Sequence, residues 1–140
     1  MLSQEKGTTI IKGYGDDCFM INNILVESSV LLFPRTFLVW NAKKFEDINA
    51  ASLAVIPLVF PTLEVLVIGC GKSLRSGLPD DLVADFRKRG ISIEQSDTFH
   101  AAGMFNMLTL EGRHVAAALL TFDEGEAASR SQMDLSEFER

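Results

Sequence analysis

The chain has 140 residues, 47% of them hydrophobic, enough for one domain to bury roughly two-thirds of its unfolded surface without a metal or a disulfide. Its formal net charge of −6 is unevenly spread, because residues 123–140 hold six acids and two arginines while the other 122 carry only −2. A near-neutral body with an acidic end lacks the basic surface that non-specific nucleic-acid binding or docking to anionic lipid requires.

The front third reads as a β meander. Thr8–Ile11 leads to a turn at Gly13–Asp17, and Cys18–Ile21 runs to a second turn at Asn22-Asn23. Val30–Phe33 stops at Pro34, and Phe37–Trp40 stops at Asn41. Each run is short, rich in β-branched or aromatic residues and bounded by turn formers. The uncharged stretch Ile48–Leu63 spans 16 residues. That is short of the ~20 a membrane helix needs, and Pro57 and Pro61 interrupt it. It reads as buried core, so no transmembrane segment is expected.

From Glu46 the rhythm changes. Asn49 is placed to cap a short helix over Ala50–Val55, which Pro57 ends or kinks. Glu64–Ile68 is an apolar strand closing on Gly69-Cys70-Gly71. Pro79 suits a first helical position, with Asp80 and Asp81 in the favourable first turn, Arg87, Lys88 and Arg89 in the last, and Gly90 as the stop. Ile91–Glu94 alternates as a strand with one better-buried face. Asp97 or Thr98 then caps an amphipathic helix that Gly112 ends. Val115–Leu120 is six apolar residues without alternation, as expected of a strand covered on both faces. Strand–helix–strand–helix–strand, with connections too long for hairpins, predicts right-handed crossovers between neighbouring parallel strands. Residues 1–122 thus read as one α/β domain and 123–140 as an acidic, mostly disordered tail.

The chemistry-bearing residues are sparse. Gly69-Cys70-Gly71-Lys72-Ser73 follows a strand and precedes a helix, where phosphate loops occur. Leu66 stands where a Walker loop needs glycine, and Leu74 where a dinucleotide fingerprint needs its third. A tight turn is the first reading. The alternative is a small-molecule or anion-binding site or an enzyme crevice, with Lys72, Arg75 and the amides of the next helix holding the anion. Cys18 and Cys70 each lie in apolar surroundings outside any CxxC pair, as in a reduced intracellular protein, and Cys70 reads as a buried, inert thiol. His100 and His114 lack metal-ligand spacing. No catalytic residue, metal or cofactor is expected. Asp97-Thr98 reads first as a cap. Asn106, an amide among Phe105, Met107 and Leu108, must find partners. Glu111 and Arg113 flank Gly112 and can pair with each other or clamp the preceding carbonyls. Trp40 lines a groove or covers the core edge.

At these residues the chain resembles a known family. The stretches are Gly13-Tyr14 with Phe19–Asn22, Ser29–Leu32 with Pro34, Val39-Trp40, Leu66–Gly69 with Gly71, and Arg89–Ile91 with Ile93-Glu94. The most specific runs from Asp97-Thr98 and Ala101 through Phe105-Asn106 and Leu108 to Glu111–Arg113 and Ala116–Leu119. Together they span about residues 8–121. They are similar to the Mth-type domain family that includes the mitochondrial respiratory complex I assembly factor three and the adipogenesis-associated Mth-domain protein. The resemblance implies a three-layer α/β sandwich on a mixed, largely parallel five-stranded sheet with an added N-terminal β-meander portion. It also implies a non-catalytic assembly or interaction factor in the biogenesis of respiratory complex I, the NADH dehydrogenase. Its partner would be another assembly factor or a respiratory-complex subunit at the inner membrane. The implied location is the cytoplasm in a bacterium, or the matrix face of the mitochondrial inner membrane for a processed form. The first 34 residues hold two lysines, no arginine and four acids, unlike a mitochondrial presequence. The expected partner surface is built around Trp40, the Gly69–Gly71 loop with Lys72 and Arg75, the helix bearing Asp97, Thr98 and Asn106, and the Glu111–Arg113 corner.

Overall fold

The structure, a computed structural model of the chain, describes residues 7–73 and 77–122. The acidic tail and Arg75 lie outside the described residues. The strands are β1 (Ile11–Tyr14), β2 (Phe19–Ile21), β3 (Ile24–Val26), β4 (Val30–Phe33), β5 (Thr36–Val39), β6 (Val65–Gly69), β7 (Ser92–Ser96) and β8 (Val115–Leu119). The helices are α1 (Val55–Val59), α2 (Asp80–Lys88) and α3 (Thr98–Leu110), with a single 3-10 turn at Phe45–Asp47.

The expected meander divides between two sheets. β1, β2 and β3 form a small antiparallel sheet, while β4 and β5 join a five-stranded sheet of order β5-β4-β8-β6-β7. That sheet is mixed: β6 runs parallel to β7 and β8, and β4 runs antiparallel to β5 and β8. The first strand begins later than Thr8 and carries a register shift between Ile11 and Gly13. β3 follows a two-residue turn in which Asn22 adopts φ 55°, a left-handed conformation that asparagine tolerates.

Alternation along the strands sorts the core onto two faces. Leu31 and Phe33 of β4, Leu66 and Ile68 of β6, and Ala116 and Ala118 of β8 point to one face, where they pack with Leu53, Ile56, Leu82 and Phe86. Val30, Leu32, Val67, Val115, Ala117 and Leu119 point to the other, against Ala101, Ala102 and Phe105 of α3 and Ile11, Phe19, Ile21 and Val26 of the small sheet. The result is three layers. The chain moves outward from β6 to β7 through α2 and back to β8 through α3. Crossovers of one hand travelling in opposite directions place their helices on opposite faces.

β8, expected to be covered on both sides, is the middle strand, and Val115–Leu119 are all buried. Helices α2 and α3 end alike. Gly90 (φ 81°) and Gly112 (φ 80°) take the left-handed conformation. After α2, Gly90 N–H donates to the Arg87 carbonyl and Ile91 N–H to Phe86; after α3, Gly112 N–H donates to Thr109 and Arg113 N–H to Leu108. Both are the paired closing bonds that satisfy a helix's last carbonyls.

The helix expected over Ala50–Val55 lies further along, as α1 over Val55–Val59. Asn49 and Ser52 hold the preceding turn by reciprocal bonds, Ser52 N–H to Asn49 Oδ1 at 2.9 Å and Asn49 N–H to Ser52 Oγ at 3.1 Å. Pro57 then falls in the first turn of α1, where a missing N–H costs no helical bond.

Candidate functional site

The carboxyl ends of β6 and β8 meet the start of α3, and Thr98 joins them. Its buried hydroxyl accepts from Gly71 N–H at 2.9 Å and donates to the Leu120 carbonyl at 2.8 Å. Thr98 N–H donates to the Gly71 carbonyl at 2.8 Å, and Cys70 N–H donates to Ser96 at 2.8 Å. A Cβ on Gly69 would stand 2.9 Å from Thr98 Cα, Thr98 Oγ1 and a Leu119 methyl. The glycine at 69 therefore answers to close strand–helix packing. Amides that a phosphate loop would offer to an anion are instead bonded within the protein, and Asp97 adds a carboxylate at the same helix end.

Asp97 is the N-cap, its Oδ1 accepting from His100 N–H at 2.8 Å, while His100 Nδ1 lies 2.8 Å from Oδ2. Burial raises the Asp97 carboxyl, but the His100 amide and imidazole outweigh that and hold it below its ordinary value. Cys70 is buried, with Gln95 Nε2 3.4 Å from its sulfur. Burial, with Asp17 and Glu27 nearby, pushes the Cys18 thiol up to about 11. Both cysteines are free and buried.

The expected surface does not form one patch. Trp40 is only 4% exposed, and its indole N–H donates to the Ser52 carbonyl at 2.9 Å, anchoring the turn before α1. It covers the core edge and also lines a cavity with Asp17, Glu27, Ala42 and Lys43. Gly69, Gly71, Asp97 and Thr98 do gather at one end of α3, with Lys72 exposed beside them. Asn106 sits midway, where its amide brackets β1: Ile11 N–H donates to Oδ1 at 3.0 Å and Nδ2 donates to the Ile11 carbonyl at 2.9 Å. Glu111 and Arg113 lie at the far end, a helix length away. Arg113 Nε faces Glu64 at 3.9 Å, while the Glu111 and Arg113 amides donate to the Met107 and Leu108 carbonyls.

The outer face of α3 is the feature the residue-by-residue reading missed. The helix was expected to be amphipathic, yet Phe99, Met107 and Leu110 are 54%, 53% and 70% exposed, while its buried side holds Thr98, Ala101, Ala102, Phe105 and Thr109. Ala101 and Ala102 face inward with Phe105, packed against Val115, Ala117 and Leu119 of β8. Phe99, Met107 and Leu110 are left outside. The available signal was the absence of any Asp, Glu, Lys or Arg across Thr98–Leu110. A helix apolar all round is one that something else covers. Tyr14 extends the surface, stacking on Phe122 at 4.6 Å and meeting Phe99 edge-on at 6.0 Å. Between α3 and β1 runs a groove of about 500 Å³ lined by Ile11, Tyr14, Phe99, Ala102, Gly103 and Met107, with Lys12 and His100 among its polar neighbours. Among the described residues no three His, Cys, Asp or Glu side chains are grouped to hold a metal ion, and no helix is long and apolar enough to cross a membrane.

Fold and surface together define a small three-layer α/β domain with an uncovered apolar helix. The chain belongs to the family described as protein of unknown function (DUF498/DUF598), whose profile matches residues 11–120. It is 34% identical over 110 residues to a Xenopus tropicalis protein named NADH dehydrogenase (ubiquinone) 1 alpha subcomplex assembly factor 3, a match covering 79% of this chain and 60% of that one. A Danio rerio protein of the same name is 35% identical over 120 residues, covering 86% of this chain and 68% of that one. The chain thus spans about three-fifths of the Xenopus relative's length. Among solved structures it is similar to a Bordetella pertussis protein described as a Mth938-like domain, with a TM-score of 0.71 at 26% identity, over 81% of this chain and 86% of that one. The resemblance carried by the sequence motifs holds for both family and fold.

Proposed function

We propose that this protein is a non-catalytic assembly factor in the biogenesis of respiratory complex I, and that its protein partner docks on the α3–β1 face. The names of the Xenopus and Danio relatives support the process. The observation that carries the docking face is the outward display of Phe99, Met107 and Leu110 beside an apolar groove. Covering each such side chain contributes roughly 1.5–3 kcal/mol, so a few suffice for a specific contact. The partner is another assembly factor or a respiratory-complex subunit at the inner membrane. The protein works on the matrix face in a mitochondrion and in the cytoplasm in a bacterium.

Affinity purification from the native source under gentle cross-linking tests this reading. The wild-type chain is expected to recover NADH dehydrogenase subunits. The double variant Phe99→Asp, Met107→Asp is expected to lose them while its thermal unfolding midpoint stays close to wild type, because both positions are exposed. Equal recovery by the folded variant, or none by wild type, would refute it.

A further inference from the structure

β5 is an outer strand of the five-stranded sheet and carries few of the usual defences against pairing. Thr36, Phe37, Leu38 and Val39 include no charge, no proline and no bulge, and they pair with β4 in unbroken register. Trp40 N–H donates to the Ser29 carbonyl at 2.9 Å, which fixes the parity of the ladder. Residues 40, 38 and 36 bond toward β4, so the N–H and C=O groups of Phe37 and Val39 face outward. No described residue is hydrogen-bonded to them there.

The side chains around this edge are apolar. Val39 is 62% exposed and Leu38 is also exposed, while α1 turns Val55, Leu58 and Val59 to solvent, Leu58 being 79% exposed. At the start of the strand a pocket of about 360 Å³ includes Thr36 and Val59, with Phe33 and Phe60 as its aromatic wall, meeting edge-on at 6.5 Å. Arg35, Arg113 and His114 also line it, and no acid among the described residues does. Glu64 stands nearby, 3.9 Å from Arg113 Nε and 4.0 Å from His114 Nδ1. Thr109 lines the same pocket, and its buried hydroxyl has no hydrogen-bond partner among the described residues. Beyond the other end of β5 lie Lys43 and Lys44, whose amides donate to Asp47.

We propose that β5 and this pocket receive an extended segment of a partner protein, which pairs as a sixth strand, packs a large apolar side chain on Phe33 and Phe60, and sets an acidic side chain against Arg35 and Arg113. Charge selects that occupant. From Pro34 to Lys44 the chain has three cations and no acid, so an acidic segment is attracted. A second copy would bring the Arg35 end of one edge to the Lys43 end of the other, like charge to like. Residues 123–140 are acidic but contain no β-branched residue, and so suit a strand poorly. This edge is separate from the α3–β1 groove and gives the molecule a second point of attachment, recognised by main-chain bonds and one anchor pocket.

The test titrates the isotope-labelled full chain with a blocked synthetic peptide, Ac-Thr-Val-Thr-Val-Phe-Glu-Glu-NH2, and with its counterpart carrying lysines for glutamates, each up to about 1 mM. The acidic peptide is expected to shift the amide resonances of Thr36–Val39, Phe60 and His114 and to leave Phe99 and Met107 unmoved. Val39→Pro removes an outward N–H and no internal bond, and is expected to abolish the shifts. Arg35→Glu is expected to weaken binding about tenfold and decides the matter should the proline variant fail to fold. No shift, equal shifts with the lysine peptide, or shifts at Phe99 and Met107 instead would overturn the proposal. So would concentration-dependent shifts of Thr36–Val39 without peptide, which would make a second copy the occupant. Binding that appears only after deletion of residues 123–140 would assign the edge to the chain's own acidic end, and overturn it equally.

Discussion

The Thr98 hydroxyl holds together three chain segments, accepting a hydrogen bond from the Gly71 amide and donating one to the Leu120 carbonyl. Thr98→Val keeps the shape and leaves both backbone groups buried without partners, at about 1–3 kcal/mol each. A lower urea midpoint at unchanged slope is the expected outcome. At the neighbouring position the prediction concerns pH. The Asp97 carboxyl titrates below its ordinary value of 3.8 in the folded chain, so its contribution is fully present above that value and disappears as pH falls through the lower folded one. Asp97→Ala is expected to cost about 1 kcal/mol at neutral pH, and the two proteins' stabilities should converge on acidification in denaturant titrations at several pH values. Asp97 was legible as a cap because a cap is local, its acceptor three residues from its donor. Thr98 was not, because its partners come from 27 residues before it and 22 after. For Asn106 the sequence showed the need for partners and left their identity open, since β1 lies 95 residues away.

Among the elements, α3 best separates what a pattern reveals from what packing decides. Its start and stop were readable from Asp97 and Gly112, while the choice of inner face was not. Hydrophobicity alone ranks Phe99 and Met107 above Ala101 and Ala102 for burial, yet the inner face takes the two alanines together with Phe105. Gly103 sits in the middle of this helix, exposed, with open space where a Cβ would lie. Gly103→Ala is therefore expected to stabilise the protein by about 0.5–1 kcal/mol, measured as a raised thermal midpoint. α1 was misplaced for a different reason. Asn49 and Ser52 close a turn on each other before the helix begins, and a cap residue does not by itself announce which of the two it will start.

Over the whole molecule the three layers were legible through the family resemblance, while the strand order was not. Runs of similar composition at Cys18–Ile21 and Val30–Phe33 went to different sheets, and that division depends on pairings distant in sequence, such as Val30 with Leu119. The central position of β8 was foreshadowed by its unbroken apolar run. It has measurable consequences, since β8 bonds to β4 and β6 and is covered by α3. Its amides are expected to exchange with solvent only through global unfolding. The small sheet shares no ladder with the large one; the Asn106 bracket ties it to α3, Thr9 N–H just before it donates to the Pro34 carbonyl at 2.9 Å, and side chains make the remaining contact. Amides of β1–β3 should open at a lower free energy, in a unit of their own, when native-state hydrogen exchange is followed in rising denaturant.

The order of the large sheet also bears on how a ribosome delivers the protein. The strand that joins its antiparallel hairpin to its parallel pair is the last to be made, so for most of translation the two halves emerge with raw borders and nothing between them. Nascent chains held short of residue 119 should draw holding chaperones, and release those chaperones once the missing middle arrives.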